Sequence, residues 1–169
     1  MLQITDLPSA DILSKFAKRY PEAEIEKVIQ YLTLLRVGSD LALSLDNYLS
    51  EYNLLQSRWW VLILLMREDN LMSFPSTLAS KTGVTKATMT GLIDSLEKGG
   101  LVKKVIHAND RRKFKIQLTN NGQNKLDEVM PDYYRRVGRL MGALSKEEGE
   151  VLVSILSKLQ ANKVLNNFN

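Results

Sequence analysis

The sequence predicts a mostly α fold: a winged helix-turn-helix with a two-stranded β wing, flanked by N- and C-terminal helices. Three observations predict it. Two helical patterns meet at the short turn Gly83-Val84-Thr85. The second pattern stops at Gly99-Gly100 and is followed by two strand-like runs. Long helical segments lie on either side, the first of them free of proline from Glu24 to Tyr52. A chain of 169 residues suits one compact unit able to bury its own core.

The elements follow in chain order. Ser9 to Tyr20 reads as a short helix, capped by Ser9 and ended by Pro21. Glu24 to Tyr52 reads as a long helix with two apolar stripes stepping by three and four residues. Ile25, Val28, Leu32, Leu35, Ala42 and Leu49 form one stripe; Tyr31, Leu34, Leu41, Leu45, Tyr48 and Tyr52 form the other. A helix packing only on its own core needs one stripe, so the second points to a partner subunit as the simplest reading, with a central helix wrapped by its own chain as the alternative. Gln56 to Glu68 is apolar enough to be a buried helix, and Asp69-Asn70 marks a turn. Ser73-Phe74-Pro75 opens a helix running to Thr82, with Pro75 suited to its first turn. Thr85 to Lys98 has the i, i+3, i+4, i+7 stripe of a packed helix in Met89, Leu92, Ile93 and Leu96. Leu101 to Ile106 and Lys113 to Leu118 read as strands, the latter with Phe114, Ile116 and Leu118 inward and Lys113, Lys115 and Gln117 outward. His107 to Arg112 is a polar loop between them. Thr119 caps a long helix reaching Leu144, kinked at Pro131. Ser145-Lys146-Glu147-Glu148 is a capping box opening a last helix, with Leu152, Ile155, Leu156 and Leu159 on one face.

Composition excludes whole classes of chemistry. The chain has no cysteine and one histidine, His107. Thiolate nucleophiles, disulfides, thiol redox sensing and cysteine or multi-histidine metal sites therefore fall away. No serine–lysine or carboxylate cluster stands out as a catalytic centre, so the chain reads as no enzyme, with no cofactor and no metal site. The start of the chain lacks the basic and apolar regions of a signal peptide, and the longest uninterrupted apolar run, Trp59 to Met66, has eight residues. A cytoplasmic protein without a membrane partner is the expectation. The net charge of +4 is unevenly spread. From Lys81 to Lys115, nine basic residues against three acidic ones give +6, while the remainder carries fourteen against sixteen, or −2. A basic island on a slightly acidic body is the footprint of a polyanion binder.

The island coincides with the helix pair and the loop after it. Ala79 is small enough for two helices to cross closely, Gly83 provides positive φ, and Thr85 caps the second helix. The outward face of that helix carries Lys86, Ala87, Thr90 and Gly91, and its first turn has no acid to repel phosphate. Thr85, Lys86, Ala87, Thr88 and Thr90 are the candidate contacts to the major groove and its flanking phosphates. Arg111 and Arg112 at a projecting hairpin suit the electronegative minor groove, with Asp110 orienting an arginine, and Lys103 and Lys113 are candidate phosphate contacts. Double-stranded DNA is the expected partner. A winged module that binds protein instead of DNA is the alternative, which the basic window disfavours.

The stretch Leu78 to Leu126 resembles the MarR family of bacterial transcription regulators. The resemblance rests on Leu78-Ala79, Gly83-Val84-Thr85, Ala87-Thr88, Leu92-Ile93-Asp94, Leu96-Glu97 and Gly100-Leu101-Val102. It continues through Asp110, Arg112, Leu118, Thr119 and Gly122. It implies a homodimer in which residues 1–54 and 120–169 form the helical dimerisation region and residues 55–119 the winged DNA-binding domain. It implies that the helix from Thr85 enters the major groove and Arg112 the minor groove of a pseudo-palindromic site. It also implies a repressor released by a small, often aromatic or phenolic, acid. Gly91 stands where many members carry an arginine, and Leu55 where a serine or threonine commonly caps the next helix. For such a ligand the candidate residues are Tyr31, Arg36, Trp59, Trp60 and His107: neighbouring tryptophans on a helix point in different directions, so one can be core while the other lines a crevice.

Overall fold

The computed structural model describes residues 8–107 and 110–162, and of 10, 107 and 110–113 the backbone alone. Among the described residues, seven helices and three strands follow in order: α1 (Ala10–Arg19), α2 (Ile25–Ser50), α3 (Gln56–Met66), β1 (Met72–Ser73), α4 (Pro75–Thr82), α5 (Lys86–Lys98), β2 (Val102–His107), β3 (Asp110–Leu118), α6 (Asn120–Met141) and α7 (Lys146–Ala161). Most boundaries have a local cause. Ser9 accepts from the Ile12 amide, Thr85 from Thr88, Thr119 from Gly122 and Ser145 from Glu148, whose side chain returns the bond to the Ser145 amide. Pro75 occupies the first turn of α4, and Gly83 ends it at φ +70°. Leu55 opens α3 without any side-chain cap. That helix is held by burial instead, through Trp59, Val61, Leu62, Leu64 and Leu65.

The wing differs from expectation in two ways. It belongs to a three-stranded antiparallel sheet in the order β1-β3-β2. β1 pairs Met72 with Gln117 and Ser73 with Ile116, where the sequence reading has only a helix start. Two residues are too short to leave a period-two signature. Their position is set by Leu71, held at φ +54° with its carbonyl accepting from the Leu118 amide at 2.9 Å. The hairpin strands also run further, so Asp110 to Arg112, read as loop, continue β3. β2 and β3 pair in register from Val102↔Leu118 to Ile106↔Phe114, then shift before His107↔Asp110. Ile116 and Leu118 are buried as the alternation predicts, but Phe114 is exposed, because the hairpin has by then passed the edge of the core. At the other end of the winged unit, α6 stops at Met141 with Gly142 as its cap, short of Leu144.

One apolar cluster organises the molecule. It gathers Leu62, Leu65, Leu78, Met89, Ile93, Leu96, Val102, Ile116 and Leu126 with Tyr48, Leu49 and Val129. It therefore runs from the end of α2 to the start of α6 and crosses both ends of the 55–119 segment. The other large apolar surfaces lie outside it. α7 has no buried residue, and Val151, Leu152, Val153, Ile155, Leu156 and Leu159 are all exposed. Along α2 only Tyr48 and Leu49 are buried. By length and mean hydropathy alone, α2 is able to cross a membrane. Counting uninterrupted apolar runs does not register it, because Arg36, Asp40 and Asp46 divide its sequence.

Candidate nucleic-acid interface and aromatic cavity

The helix-turn-helix is built around one glycine and one threonine. Gly83 in the left-handed region turns the chain out of α4, and the Thr82 hydroxyl donates back to the Leu78 carbonyl at 2.8 Å. Thr85 caps α5 through the Thr88 amide at 3.1 Å, and the two hydroxyls lie 2.9 Å apart. Met89, Ile93 and Leu96 bury one side of α5. The opposite side presents Lys86, Ala87, Thr90 and Gly91 to solvent, beside the exposed Thr85 and Thr88. Thr90 donates its hydroxyl to the Lys86 carbonyl at 3.0 Å, so its methyl turns outward with the oxygen folded back on the helix. No acid occupies the first turn.

The hairpin sits beside this helix. Lys104 bonds Asp94 and Glu97 of α5, each at 2.8 Å, and its backbone amide donates to Glu97 at 3.2 Å. Hydrogen bonding to Lys104 holds the Glu97 carboxyl below its usual range, and the bond to Asp94 raises the Lys104 ammonium. Two of the three acids in the basic window are thereby matched to one lysine, which concentrates the remaining positive charge on other side chains. Lys103 is exposed on β2. The side chains of His107, Asp110, Arg111, Arg112 and Lys113 lie outside the described residues; β3 places the backbone of the last four on the hairpin.

The base of the wing locks onto α6. Thr119 donates its hydroxyl to the Gly100 carbonyl at 2.7 Å and accepts from the Gly122 amide at 3.1 Å. A Cβ on Gly122 would lie 2.2 Å from the Leu101 carbonyl oxygen and 2.6 Å from a Leu118 methyl. Leu118, Thr119 and Gly122 thus form one joint: an inward side chain, a cap and a close backbone approach.

A separate cavity of about 500 Å³ lies between α3 and α6. Its lining includes Trp59, Trp60, Met66, Met130, Tyr133 and Tyr134, with Arg67 and Asp127 as the charged groups. The two tryptophans divide as their spacing predicts: Trp59 is 1% exposed and Trp60 39%. Trp59 stacks edge-on against Tyr133 at 4.9 Å, and Tyr133 lies 5.6 Å from Tyr134. Trp59 Nε1 is buried with no hydrogen-bond partner. Of the other candidate ligand residues, Tyr31 is exposed on α2 and Arg36 pairs with Asp40 at 2.8 Å; neither lines this cavity. The α6 residues were not anticipated, although Tyr133-Tyr134 repeats the doubled aromatic signal of Trp59-Trp60. Among the described residues no group of three or more histidine, cysteine or acidic side chains is arranged to hold a metal ion.

The family model for the MarR family matches residues 52–113. The HTH-type transcriptional repressor YetL of Bacillus subtilis is 27% identical over 94% of this chain and 95% of its own. AbsC, a MarR family transcriptional regulator from Streptomyces coelicolor, superposes with a TM-score of 0.71 at 22% identity, covering 92% of this chain and 96% of its own. Sco3205 of the same organism and family, solved in complex with DNA, gives a TM-score of 0.76 at 19% identity over 82% and 88% of the two chains.

Proposed function

We propose that the chain, which matches the MarR family of winged helix-turn-helix transcription regulators over residues 52–113, acts as a cytoplasmic, homodimeric repressor of a pseudo-palindromic DNA site, released by a small aromatic acid. The observation carrying the DNA reading is the α5 face: exposed, free of acid in its first turn, and flanked by a basic hairpin. Lys86 and the free amides of the α5 N-terminus draw phosphate, while Ala87, Thr88 and the Thr90 methyl are small enough for base edges to approach. Arg111 and Arg112 on the hairpin reach the minor groove, Asp110 orients one of them, and Lys103 and Lys113 meet phosphates. The complexed relative Sco3205 supports this use of the fold. Residues 1–54 and 120–169 serve dimerisation. This accounts for an α2 apolar enough for a membrane and an α7 without a buried residue.

The test is selection of genomic fragments by the purified protein at about 0.15 M salt, where non-specific binding is already weak. Half-sites spaced by about one helical turn are expected. Random fragments alone would overturn the reading. Arg112→Ala is expected to weaken binding by about 1–3 kcal/mol, as loss of a specific groove contact does. Lys86→Ala is expected to lower affinity on all sequences and to flatten the salt dependence by about one counterion. Unchanged titrations would remove either assignment.

The cavity between α3 and α6 is our candidate effector site. Its aromatic lining suits a planar ring, Arg67 a carboxylate, and the unpartnered Trp59 indole an acceptor on the ligand. Both tryptophans of the chain line it, so intrinsic fluorescence reports on it directly. A hydroxybenzoate is expected to quench that fluorescence and release the operator over the same concentration range. Release without quenching would move the site elsewhere.

A further inference from the structure

On the wing, Ile106 and Phe114 face each other across the hairpin and are 66% and 38% exposed. Ordinary alternation would bury them. They lie on the same side of the strands as Val102, Ile116 and Leu118, which are core, and as Lys104, which reaches Asp94 and Glu97 on α5. The pair therefore lies on the side of the hairpin turned toward the recognition helix. Lys104 fixes its level. Two strand residues beyond it advance about 6.6 Å, little more than the roughly 5.4 Å of one helical turn. β2 runs back antiparallel to α5 after the Gly99-Gly100 turn, so that advance brings the pair level with Thr90 and Gly91. A side chain added at Gly91 would meet nothing within 4 Å. An apolar wall on the wing thus stands level with an open position on the helix, Gly91.

We propose that Ile106 and Phe114 form an apolar seat for the deoxyribose rings of the DNA strand that passes between α5 and the wing. This rests on the DNA-binding reading above and deepens it. The occupant follows from the surroundings. The pair lies inside the +6 segment and continues from the basic, small-residue face of α5. Lys104, whose ammonium is 5.9 Å from the Phe114 ring, is already matched by two carboxylates. What the seat offers a nucleotide is therefore hydrophobic contact rather than charge. A sugar ring is the apolar part of a backbone whose phosphates the neighbouring lysines and helix terminus attract.

The distinguishing property is a contribution to affinity that salt does not screen. Phe114→Ala is expected to weaken operator binding about tenfold, the effect of removing part of one aromatic side chain's burial. The slope of log affinity against log salt is expected to stay that of the wild type, since no phosphate contact is lost. Gly91→Leu, which fills the gap from the helix side, is expected to act in the same direction with the same unchanged slope, and Phe114→Leu to retain most of the affinity. Phe114 is exposed, so thermal unfolding of Phe114→Ala is expected to match the wild type and serves as the control for folding. Wild-type affinity for Phe114→Ala, or a loss that comes with a flatter salt slope, overturns the seat. So does a change in sedimentation, which would assign the pair to contact between copies. Absence of DNA binding by the wild type is a different result and removes the parent reading instead.

Discussion

Tyr48 is buried at the point where α2 meets α6 and donates its hydroxyl to the Val129 carbonyl at 2.6 Å. The Arg136 guanidinium lies 4.7 Å over its ring, itself bonded to Asp132 at 2.7 Å and Glu51 at 3.2 Å. Desolvation, followed by the hydrogen bond with Tyr52, pushes the Tyr48 phenol well above its ordinary value of 10.0. The unfolded chain therefore loses this proton first as pH rises past 10, while the native state keeps it. Native protein then binds more protons than unfolded, so stability is present below pH 10 and declines above it. Tyr48→Phe is expected to cost about 0.5–1.5 kcal/mol at neutral pH, the net value of one buried hydrogen bond. It is also expected to remove that alkaline decline, read from urea midpoints between about pH 9 and 11, around the tyrosine reference value. Parallel declines in both proteins would place the alkaline sensitivity elsewhere. Nothing in the sequence singles out Tyr48 among six tyrosines. It falls on an apolar stripe, and only the three-dimensional meeting of two helices gives its hydroxyl a partner.

α5 and α6 each carry a glycine in or beside the winged helix-turn-helix, and the two call for opposite outcomes from one substitution. Gly91 is exposed in the interior of α5 with free space around it, so Gly91→Ala is expected to stabilise by roughly 0.5–1 kcal/mol through helix propensity. Gly122→Ala drives a methyl into the Leu101 carbonyl and is expected to destabilise by about 3 kcal/mol or more, since backbone at both elements must give way. Chemical denaturation of the two variants checks both signs; a mild effect at Gly122 would show that the joint slides. The same elements show what was legible beforehand. Caps at Ser9, Thr85, Thr119 and Ser145, the left-handed Gly83 and the α5 core stripe are local signals, and the structure has each where the pattern puts it. β1 was not legible, because a two-residue strand exists only through its partner. Nor was the exposure of Phe114, whose alternation is correct but whose place beyond the core depends on how far the hairpin projects. Of the candidate cavity, Trp59 and Trp60 were readable as a divided pair. Their α6 neighbours were not, since a contact between segments some seventy residues apart leaves no trace in either one.

The whole molecule leaves its two ends unequally finished. One core holds α3 through β3 and the adjoining ends of α2 and α6, whereas α2 before Tyr48 and all of α7 have no fully buried residue. Burial in a second copy predicts a melting temperature that rises with protein concentration, as association linked to folding requires. Leu156→Glu and Leu35→Glu, both at exposed apolar positions, are expected to shift sedimentation from dimer to monomer and to lower operator affinity with it. A concentration-independent melt and unaltered sedimentation would leave these helices without a partner. The joint at Gly122 then acquires a mechanical meaning. α6 is held over its first half, at Gly122 against Leu101 and Leu118 and at Val129 by the Tyr48 hydroxyl, and it extends about 18 Å from Val129 to its tip. A tilt of about 8° beyond Val129 sweeps the tip by about 2.5 Å, on the scale of the helix shifts by which switching proteins change state. The aromatic cavity is lined from Leu126 to Tyr134, around that point, so an effector of the kind proposed above would act where a small displacement of α6 becomes a larger one at its tip.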